Sequence, residues 1–294
     1  MWNKNVESFL GCDNSFEKSD FVLFGAPFDS TASYRPGARF GSRAMRAESY
    51  GIETYSPYLD KDLTDIHVFD AGDLELSIGN TEMALSQIEA FAMDILEAQK
   101  RPVMLGGEHL TTLGVVRSLV KKYPDLHIIH FDAHADLRDD YLGAKLSHAT
   151  LIRRVWDLLG DGRIYQFGIR SGDRSEFCWS NERVQMQKFN FDGLAQVVRE
   201  LKGKPVYFTL DLDVLDPSIF PGTGTPEAGG VGFNELLTAA DMLGELEVVG
   251  FDMVELAPDY DRSGVSTAVA CKLLRELLLT FSYQQTEDKK WEKL

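Results

Sequence analysis

Aspartate and histidine side chains recur in three short segments of the chain, at spacings that suit metal binding. The segments are Asp132-Ala-His-Ala-Asp136, Asp211-Leu-Asp213 and the Gly-Gly-Glu-His run that ends at His109. In an extended backbone, side chains two residues apart point to the same side, so each of the first two segments would direct its ligating groups one way. A single aspartate after a strand is usually a turn or helix cap, but the three patterns together predict a functional metal site.

The number and type of these side chains indicate which ions they hold. The six candidate ligands are His109, Asp132, His134, Asp136, Asp211 and Asp213. One divalent ion does not need four carboxylates, whereas two ions about 3.5–4 Å apart do, because carboxylates bridge them. Carboxylates and imidazoles suit Mn²⁺, while a site for softer ions would carry thiolates. Without metal the four carboxylates would repel one another, so the sequence predicts a two-ion site.

Short apolar runs precede these segments and predict the strands that position them. The runs are Phe21–Phe24, Ile66–Phe69, Val103–Leu105, Ile128–Phe131, Ile164–Ile169, Val206–Leu210 and Val248–Phe251. Most are continuous and do not alternate with polar residues, which is typical of strands buried on both faces of a parallel sheet.

Stretches with a helical spacing of apolar residues lie between these runs. They cover 81–99, 111–122, 146–158, 192–202, 233–243 and 265–281. Asn80 or Thr81 is the expected N-cap of the first stretch. Strands alternating with helices predict an α/β fold with helices on both faces of a parallel sheet. Ligands of such sheets bind beyond the carboxyl ends of the strands, where the metal-binding segments fall.

The charge of the chain excludes some classes of partner. Its 294 residues include 30 Lys+Arg against 46 Asp+Glu, a formal net charge of −16. Nucleic acids and anionic membrane surfaces bind basic patches, so neither is an expected partner. The 44% of hydrophobic and 26% of charged residues are values of a globular protein.

Cysteine usage and segment composition give expectations for location and domain organisation. Cys12, Cys178 and Cys271 are widely spaced and odd in number, which predicts reduced thiols in the cytoplasm. The N-terminal segment lacks the apolar core of a signal peptide, and no apolar run approaches the ~20 residues that span a bilayer. With no linker or repeat, residues 1–294 are expected to form a single domain, ending in the charged EDKKWEKL sequence as a solvated tail.

Five motifs closely resemble those of the ureohydrolase family of arginases and agmatinases. They are Gly106-Gly-Glu-His109, Asp132-Ala-His-Ala-Asp136, Asp211-Leu-Asp-Val-Leu-Asp-Pro217, Pro221-Gly-Thr-Gly-Thr-Pro226 and Val254-Glu-Leu-Ala-Pro258. The resemblance spans about Phe21 to Phe281 and implies a three-layer α/β/α sandwich around an eight-stranded parallel sheet. Glu108 is a departure, because many relatives carry Asp or Asn before the histidine.

The resemblance also implies two Mn²⁺ per chain and a set of ligands for each. One ion would be held by His109, Asp132, Asp136 and Asp211. The other would be held by His134, Asp132, Asp211 and Asp213, so that Asp132 and Asp211 bridge the pair.

The chemistry implied by the family is hydrolysis of a guanidinium to urea and an amine. Its carbon is a poor electrophile, and a pair of divalent ions supplies a nucleophilic water by lowering its pKa towards neutrality. The resemblance implies that Asp136 shuttles a proton to the departing amine, that Glu255 binds the guanidinium, and that His148 relays protons to solvent. Thr225 is expected to line the cavity. The remaining histidines, His67, His127 and His130, are expected to be structural.

Two loops carry the resemblance closest to bacterial agmatinases, namely 137–148 and Pro221–Glu227. This implies a small cationic guanidino substrate, agmatine, cleaved to putrescine and urea in polyamine biosynthesis. In the first loop Asp139, with Asp140 and Tyr141, is expected to suit the ammonium end of that substrate. The resemblance also implies a homo-trimer or homo-hexamer.

Other functions remain open at this point. Within the family they are guanidinobutyrase, another amidinohydrolase or formiminoglutamase. A deacetylase-like amide hydrolase would share the general fold but use one metal ion. A non-catalytic metal-binding scaffold is disfavoured, because all six ligands, Glu255 and His148 are present.

Overall fold

Eight parallel strands form the central sheet of the computed structural model, which describes residues 7–282. Together with a two-stranded hairpin, the strands are β1 Phe21–Ala26, β2 Tyr55–Ser56, β3 Lys61–Asp62, β4 Val68–Asp73, β5 Arg101–Gly106, β6 His127–Phe131, β7 Ile164–Ile169, β8 Gln185–Lys188, β9 Pro205–Asp211 and β10 Glu247–Val254. The sheet order is β4-β1-β5-β10-β9-β6-β7-β8, and the hairpin pairs β2 with β3 antiparallel. The predicted α/β fold with an eight-stranded parallel sheet is confirmed.

The four central strands of this sheet, β5, β10, β9 and β6, are buried along almost their whole length. This explains the continuous apolar runs, because both faces of each strand are covered by helices. The edge strand β8 is largely exposed and polar, with the sequence Gln-Met-Gln-Lys. Sequence patterning did not predict β8, since it lacks the apolar signal of a buried strand.

Helices cover both faces of the sheet and complete the three layers. They are α1 Gly41–Glu48, α2 Thr81–Glu97, α3 Thr112–Lys122, α4 Leu151–Leu159, α5 Arg174–Ser180, α6 Leu194–Leu201, α7 Phe233–Met242 and α8 Val265–Ser282. One apolar core packs α1, α6, α7 and α8 on the sheet, and a second core packs α2, α3 and α4 with part of α5. Asn80 caps α2 by accepting a hydrogen bond from the N–H of Met83 at 3.0 Å, as predicted.

Two helices were not predicted from the sequence, and one predicted helix begins later than expected. Both α1 and α5 are short, and the seven residues of α5 are mostly polar. The stretch predicted as helical from residue 146 begins as a 3₁₀ turn at His148–Thr150, which Ser147 and Thr150 close with a capping box. The regular helix α4 starts at Leu151. This turn therefore places His148 ahead of helix α4.

The three cysteines have free thiols, with Cys12 and Cys271 buried and Cys178 exposed. Between residues 7 and 282, no helix is both long and apolar enough to cross a membrane. The EDKKWEKL tail lies outside the described residues.

Candidate metal centre and active-site cavity

The carboxyl ends of the four central strands deliver the candidate site residues to one edge of the sheet. His109 follows β5, Asp132 follows β6, Asp211 ends β9, and Glu255 follows β10. These strands are direct neighbours in the order β5-β10-β9-β6. Parallel strands all end at the same edge, so residues far apart in sequence meet there.

The segment from Asp132 to Asp136 is not extended, which corrects the geometric argument made from its spacing. Strand β6 ends at Phe131, the N–H of His134 turns back to Asp132 Oδ1 at 2.5 Å, and Asp136 has a left-handed φ of 53°. A non-glycine residue in this region is strained and is found where the surrounding structure enforces it. The turn, and not strand alternation, brings the side chains of Asp132, His134 and Asp136 together.

The pair after β9 departs from extended geometry in the same way. Leu212–Val214 form a 3₁₀ turn, and Asp211 Oδ1 accepts a hydrogen bond from the N–H of Asp213 at 2.8 Å. Asp211 therefore caps the turn that carries Asp213. Its second oxygen, Oδ2, is left to face the cluster.

The first half of the cluster surrounds Nδ1 of His109. This atom lies 3.0 Å from Asp132 Oδ2, 3.2 Å from Asp211 Oδ2 and 3.6 Å from Asp136 Oδ2. All four side chains are buried. One nitrogen and three carboxylate oxygens thus converge on a single region, as the ligands of a divalent cation do.

The second half of the cluster surrounds Nδ1 of His134. This atom lies 3.0 Å from Asp213 Oδ2 and 3.5 Å from Asp132 Oδ1. The two oxygens of Asp132 therefore face two different histidines. Within residues 7–282, Asp132 is shared by the two groups of side chains whose ligand atoms are close enough to hold an ion.

A chain of hydrogen bonds sets the tautomer of His109. Its Nε2 lies 2.8 Å from Thr209 Oγ1, and Thr209 donates its own proton to Asp252 Oδ1 at 2.7 Å. Thr209 can therefore only accept at His109, so Nε2 carries a proton, and in the neutral ring Nδ1 carries the lone pair. Among the described side chains, Nδ1 of His109 is a buried polar atom without a hydrogen-bond partner. A buried lone pair surrounded by carboxylates fits a metal ligand.

The electrostatics of the cluster also fit a bound cation. Burial, followed by repulsion from Asp132, raises the pKa of Asp136 well above its usual value. Burial and neighbouring carboxylates likewise raise the pKa of Asp211. Burial acts on Asp132 too, but the adjacent imidazoles of His109 and His130 outweigh it and hold that pKa well below its usual value. Carboxylates this close stay ionised together only with positive charge among them.

His130 lies inside the cluster, which corrects the expectation that it is merely structural. Its Nε2 lies 2.8 Å from Asp132 Oδ2, and its Nδ1 accepts a hydrogen bond from Gln166 Nε2 at 3.0 Å. The same amide nitrogen donates to Ala135 O at 2.8 Å, which fixes the orientation of Gln166. His130 therefore donates to Asp132 and orients it. The sequence could have indicated this position, because His130 precedes Asp132 by two residues and so continues the spacing of Asp132, His134 and Asp136. His127 and His67 contact neither half of the cluster.

A cavity of about 350 Å³ opens above the cluster. Seven of the predicted site residues line it, namely His109, His134, Asp136, His148, Asp211, Thr225 and Glu255. The remaining two cluster members, Asp132 and Asp213, are buried beneath this lining. Thr225 reaches the cluster itself, since its Oγ1 lies 3.4 Å from Asp213 Oδ2.

Close backbone packing holds Glu255 at the cavity wall. Its φ is left-handed at 66°, its N–H donates to Gly107 O at 3.0 Å, and its Oε1 accepts the N–H of His109 at 2.8 Å. Only glycine fits at 107, because a Cβ there would lie 1.9 Å from Phe28 O. Burial and the nearby Asp211 raise the pKa of Glu255 well above its usual value, so a cation beside it would favour its ionised form.

His148 lies at the same cavity, between two hydroxyl groups. Its Nδ1 lies 3.4 Å from Thr31 Oγ1 and its Nε2 lies 3.3 Å from Ser33 Oγ. Burial lowers the pKa of His148 to about 4. The imidazole is therefore neutral at pH 7 and can accept a proton.

Glu108, the departure noted in the sequence, anchors the loop beside His148. Its carboxylate accepts hydrogen bonds from Thr31 Oγ1 at 2.6 Å and from Thr31 N at 2.8 Å. Thr31 Oγ1 in turn accepts the N–H of His148 at 3.0 Å. Burial raises the pKa of Glu108 to about 7. The Glu108 side chain, which is longer than the Asp or Asn of many relatives, thus links the segment after β5 to the loop that carries Thr31.

Asp139 is not brought to the cavity, which corrects its expected substrate contact. Its side chain is 62% exposed and its Oδ1 pairs with Arg154 Nη2 at 2.8 Å. Hydrogen bonding from Arg154 lowers the pKa of Asp139. Its charge is therefore taken up by a helix α4 residue outside the cavity, whereas Tyr141 of the same loop does line it.

Comparison with known proteins agrees with this arrangement. Residues 19–280 match the sequence profile of the arginase family. The chain belongs to the arginase family. Agmatinase from Bacillus subtilis (strain 168) is 48% identical to it over 277 residues, covering 93% of this chain and 96% of that protein. Proclavaminate amidinohydrolase from Streptomyces clavuligerus is 34% identical over 280 residues, covering 90% of this chain and 88% of that protein.

The fold of this arginase-family chain also matches solved structures. A crystal structure of a Clostridium difficile protein superposes with a TM-score of 0.89 at 50% identity, covering 91% of this chain and 99% of that chain. Its identity of 48–49% to agmatinases over nearly the whole chain makes this protein a hydrolase that acts on a guanidino C–N bond.

Proposed function

We propose that the protein is an agmatinase that hydrolyses agmatine to putrescine and urea with two Mn²⁺ ions per chain. The observation that carries the two-ion part is the position of Asp132, whose two carboxylate oxygens face different histidines. The substrate is supported by the similarity to the Bacillus subtilis agmatinase over nearly the whole chain.

The proposed ligands divide between the two halves of the cluster. His109, Asp132, Asp136 and Asp211 would hold one ion, and His134, Asp132, Asp211 and Asp213 would hold the other. The lone pair on His109 Nδ1 and the shared position of Asp132 support this division. Oxygen and imidazole ligands without thiolates are consistent with Mn²⁺.

When bound, the two ions supply a nucleophilic water at neutral pH. The remaining steps belong to side chains. Glu255 binds the substrate guanidinium through charge-assisted hydrogen bonds, which its buried carboxylate can make once a cation offsets its raised pKa. Asp136 takes a proton and delivers it to the departing amine. His148, neutral at pH 7, relays a proton towards solvent past Ser33 and Thr31.

The cavity favours a small cationic substrate. Five carboxylates line it, namely Asp136, Asp173, Glu176, Asp211 and Glu255. Two divalent ions offset part of this charge, but carboxylates remain for both cationic ends of agmatine. Thr225 bounds the cavity on the side of Asp213.

Urea release with added Mn²⁺ tests this proposal. Agmatine, arginine, 4-guanidinobutanoate and formiminoglutamate are compared at equal concentration, and we expect kcat/KM to be highest for agmatine. A higher value for 4-guanidinobutanoate would make the protein a guanidinobutyrase, and a higher value for formiminoglutamate would make it a formiminoglutamase. No urea release from any of the four substrates would favour a metal-binding scaffold.

The organisation of the protein is part of the same proposal. One sheet serves both apolar cores, which supports a single domain. Three free thiols are consistent with the reducing cytoplasm. By its family membership, we propose assembly as a homo-trimer or homo-hexamer.

A further inference from the structure

Arg138 lies in the wall of the same cavity and belongs to the loop that follows Asp136. Its guanidinium forms an ion pair with Asp173, and its Nε lies 3.6 Å from Glu176 Oε2. It also lies over the ring of Tyr141, 4.9 Å from the ring centroid. The Arg138 side chain is 29% exposed. The cavity therefore contains an arginine whose donors are already directed at carboxylates.

The two carboxylates that hold Arg138 are themselves fixed by the start of helix α5. Asp173 and Glu176 form a capping box, in which Glu176 Oε2 accepts the N–H of Asp173 at 2.7 Å. Glu176 Oε1 accepts the N–H of Leu137 at 2.9 Å, so the same side chain also holds the Arg138 loop. Glu176 is 4% exposed and Asp173 is 55% exposed. The pairing is thus a built feature of the cavity wall, with Asp173 as its accessible member.

The net charge of Arg138, Asp173 and Glu176 affects binding of the substrate tail, the part that does not react. In the described part of the chain, Arg138 is the only Arg or Lys that lines the cavity. A free guanidinium there would bind the carboxylate of a guanidino acid with two parallel hydrogen bonds. Held between two carboxylates, Arg138 is neutralised and the group keeps a net charge of about −1, so an anionic tail meets repulsion.

We propose that Arg138 is a specificity-determining residue, whose pairing with Asp173 and Glu176 makes the cavity reject guanidino substrates with an anionic tail. This inference rests on the proposed guanidino hydrolase and deepens it by naming the excluded class, the guanidinoalkyl carboxylates. It also predicts how the specificity can be changed. Removal of the Asp173 charge would release Arg138 to receive a carboxylate.

The test compares Asp173→Asn with the wild-type enzyme loaded with Mn²⁺. Asparagine is as good an N-cap as aspartate, so α5 keeps its start while the ion pair loses its charge. We expect kcat/KM for 4-guanidinobutanoate to rise about tenfold, mainly through KM, and kcat/KM for agmatine to fall by a similar factor. Asp125→Asn is the matched control, because Asp125 is 59% exposed and lies 3.7 Å from Arg163, away from the cavity. It should leave both values unchanged.

The double variant Asp173→Asn/Arg138→Gln identifies the receptor of the carboxylate. We expect it to lose the gain on 4-guanidinobutanoate. Calorimetric binding of 4-guanidinobutanoate to the same proteins gives a readout that does not depend on turnover, with tighter binding to Asp173→Asn alone. No gain in binding by folded Asp173→Asn, or an equal gain in the double variant, would overturn the role of Arg138. The expected binding pattern without urea release from any substrate would instead contradict the proposed function.

Discussion

At the scale of single residues, the orientation of His109 depends on side chains that do not line the cavity. Asp252 is fully buried and accepts hydrogen bonds from three hydroxyl groups, those of Thr112, Tyr207 and Thr209. Because Thr209 donates its proton to Asp252, it accepts a hydrogen bond from His109 Nε2, and in the neutral ring this leaves the lone pair on Nδ1. Asp252 therefore acts on the cluster through Thr209.

Thr209→Val tests this relay, since it keeps the shape of the side chain and removes the hydroxyl. We expect Mn²⁺ affinity to fall by about 10- to 100-fold, the usual effect of losing a hydrogen-bond partner of a metal-bound histidine. Thr209→Ser keeps the hydroxyl and should bind Mn²⁺ like the wild type. The measurement is a Mn²⁺ titration by calorimetry. Equal affinity of the valine and serine variants would show that the hydroxyl does not set the tautomer.

The candidate ligands could be predicted from the sequence because they fall directly after apolar runs. The backbone conformation that brings them together could not be predicted. Spacing suggested strand alternation, whereas Asp136 reaches the cluster through a left-handed backbone conformation that residue type does not reveal. Asp139 was misassigned because its pairing with Arg154 depends on how the loop folds over α4.

At the scale of elements, the site requires strands β5 and β10 to approach the neighbouring loops closely. The carbonyl oxygen of Gly107 accepts a hydrogen bond from the N–H of Glu255. The N–H of Gly107 donates a hydrogen bond to Ala26 O at 2.8 Å. A methyl group at this position would collide with Phe28 O.

Gly107→Ala is therefore expected to lower the free energy of unfolding by about 2–4 kcal/mol, because backbone atoms must move to relieve the clash. Gly51→Ala is the control, since a Cβ there meets no atom within 4 Å. Its effect should stay within about 1 kcal/mol. Urea denaturation measures both. A loss at Gly107 no larger than at Gly51 would mean that the approach of β5 to Phe28 is looser than described.

The turn that carries His148 gives a pH dependence of stability. The folded-state pKa is about 4, below the unfolded value of about 6.5, so between these values the unfolded chain binds the extra proton. Stability falls as pH drops from about 6.5 towards 4, by up to about 1.4 kcal/mol per pH unit from this group. Replacing His148 by Gln should make the metal-free protein lose less stability over this range.

Urea denaturation of the metal-free protein at several pH values measures this difference. His67→Gln is the control, because the His67 side chain is 54% exposed. We expect His67→Gln to follow the wild type. Parallel pH profiles for His148→Gln and the wild type would contradict burial of a neutral His148.

Buried strands and helices could be predicted from the sequence, whereas exposed ones could not. The four central strands are covered on both faces, so their sequences are continuously apolar and their positions are evident. Strand β8 and helix α5 lie at the periphery and are stabilised by hydrogen bonds and caps that leave no apolar period. Helix α5 nevertheless positions Asp173 and Glu176, so part of the cavity wall was missed with it.

At the scale of the whole molecule, the site accounts for part of the acidity of the chain. Two divalent ions would reduce the formal net charge of −16 to about −12. Most of that charge therefore lies outside the cluster. A field of this sign attracts small cations and repels polyanions.

The proposed function requires Asp132 to be shared by two Mn²⁺ ions. Crystals grown with Mn²⁺ and measured at the manganese absorption edge test it directly through the anomalous difference map. We predict two peaks per chain, both in contact with Asp132, one next to His109 Nδ1 and the other next to His134 Nδ1. A single peak, or a second peak that does not touch Asp132, would contradict the two-ion site.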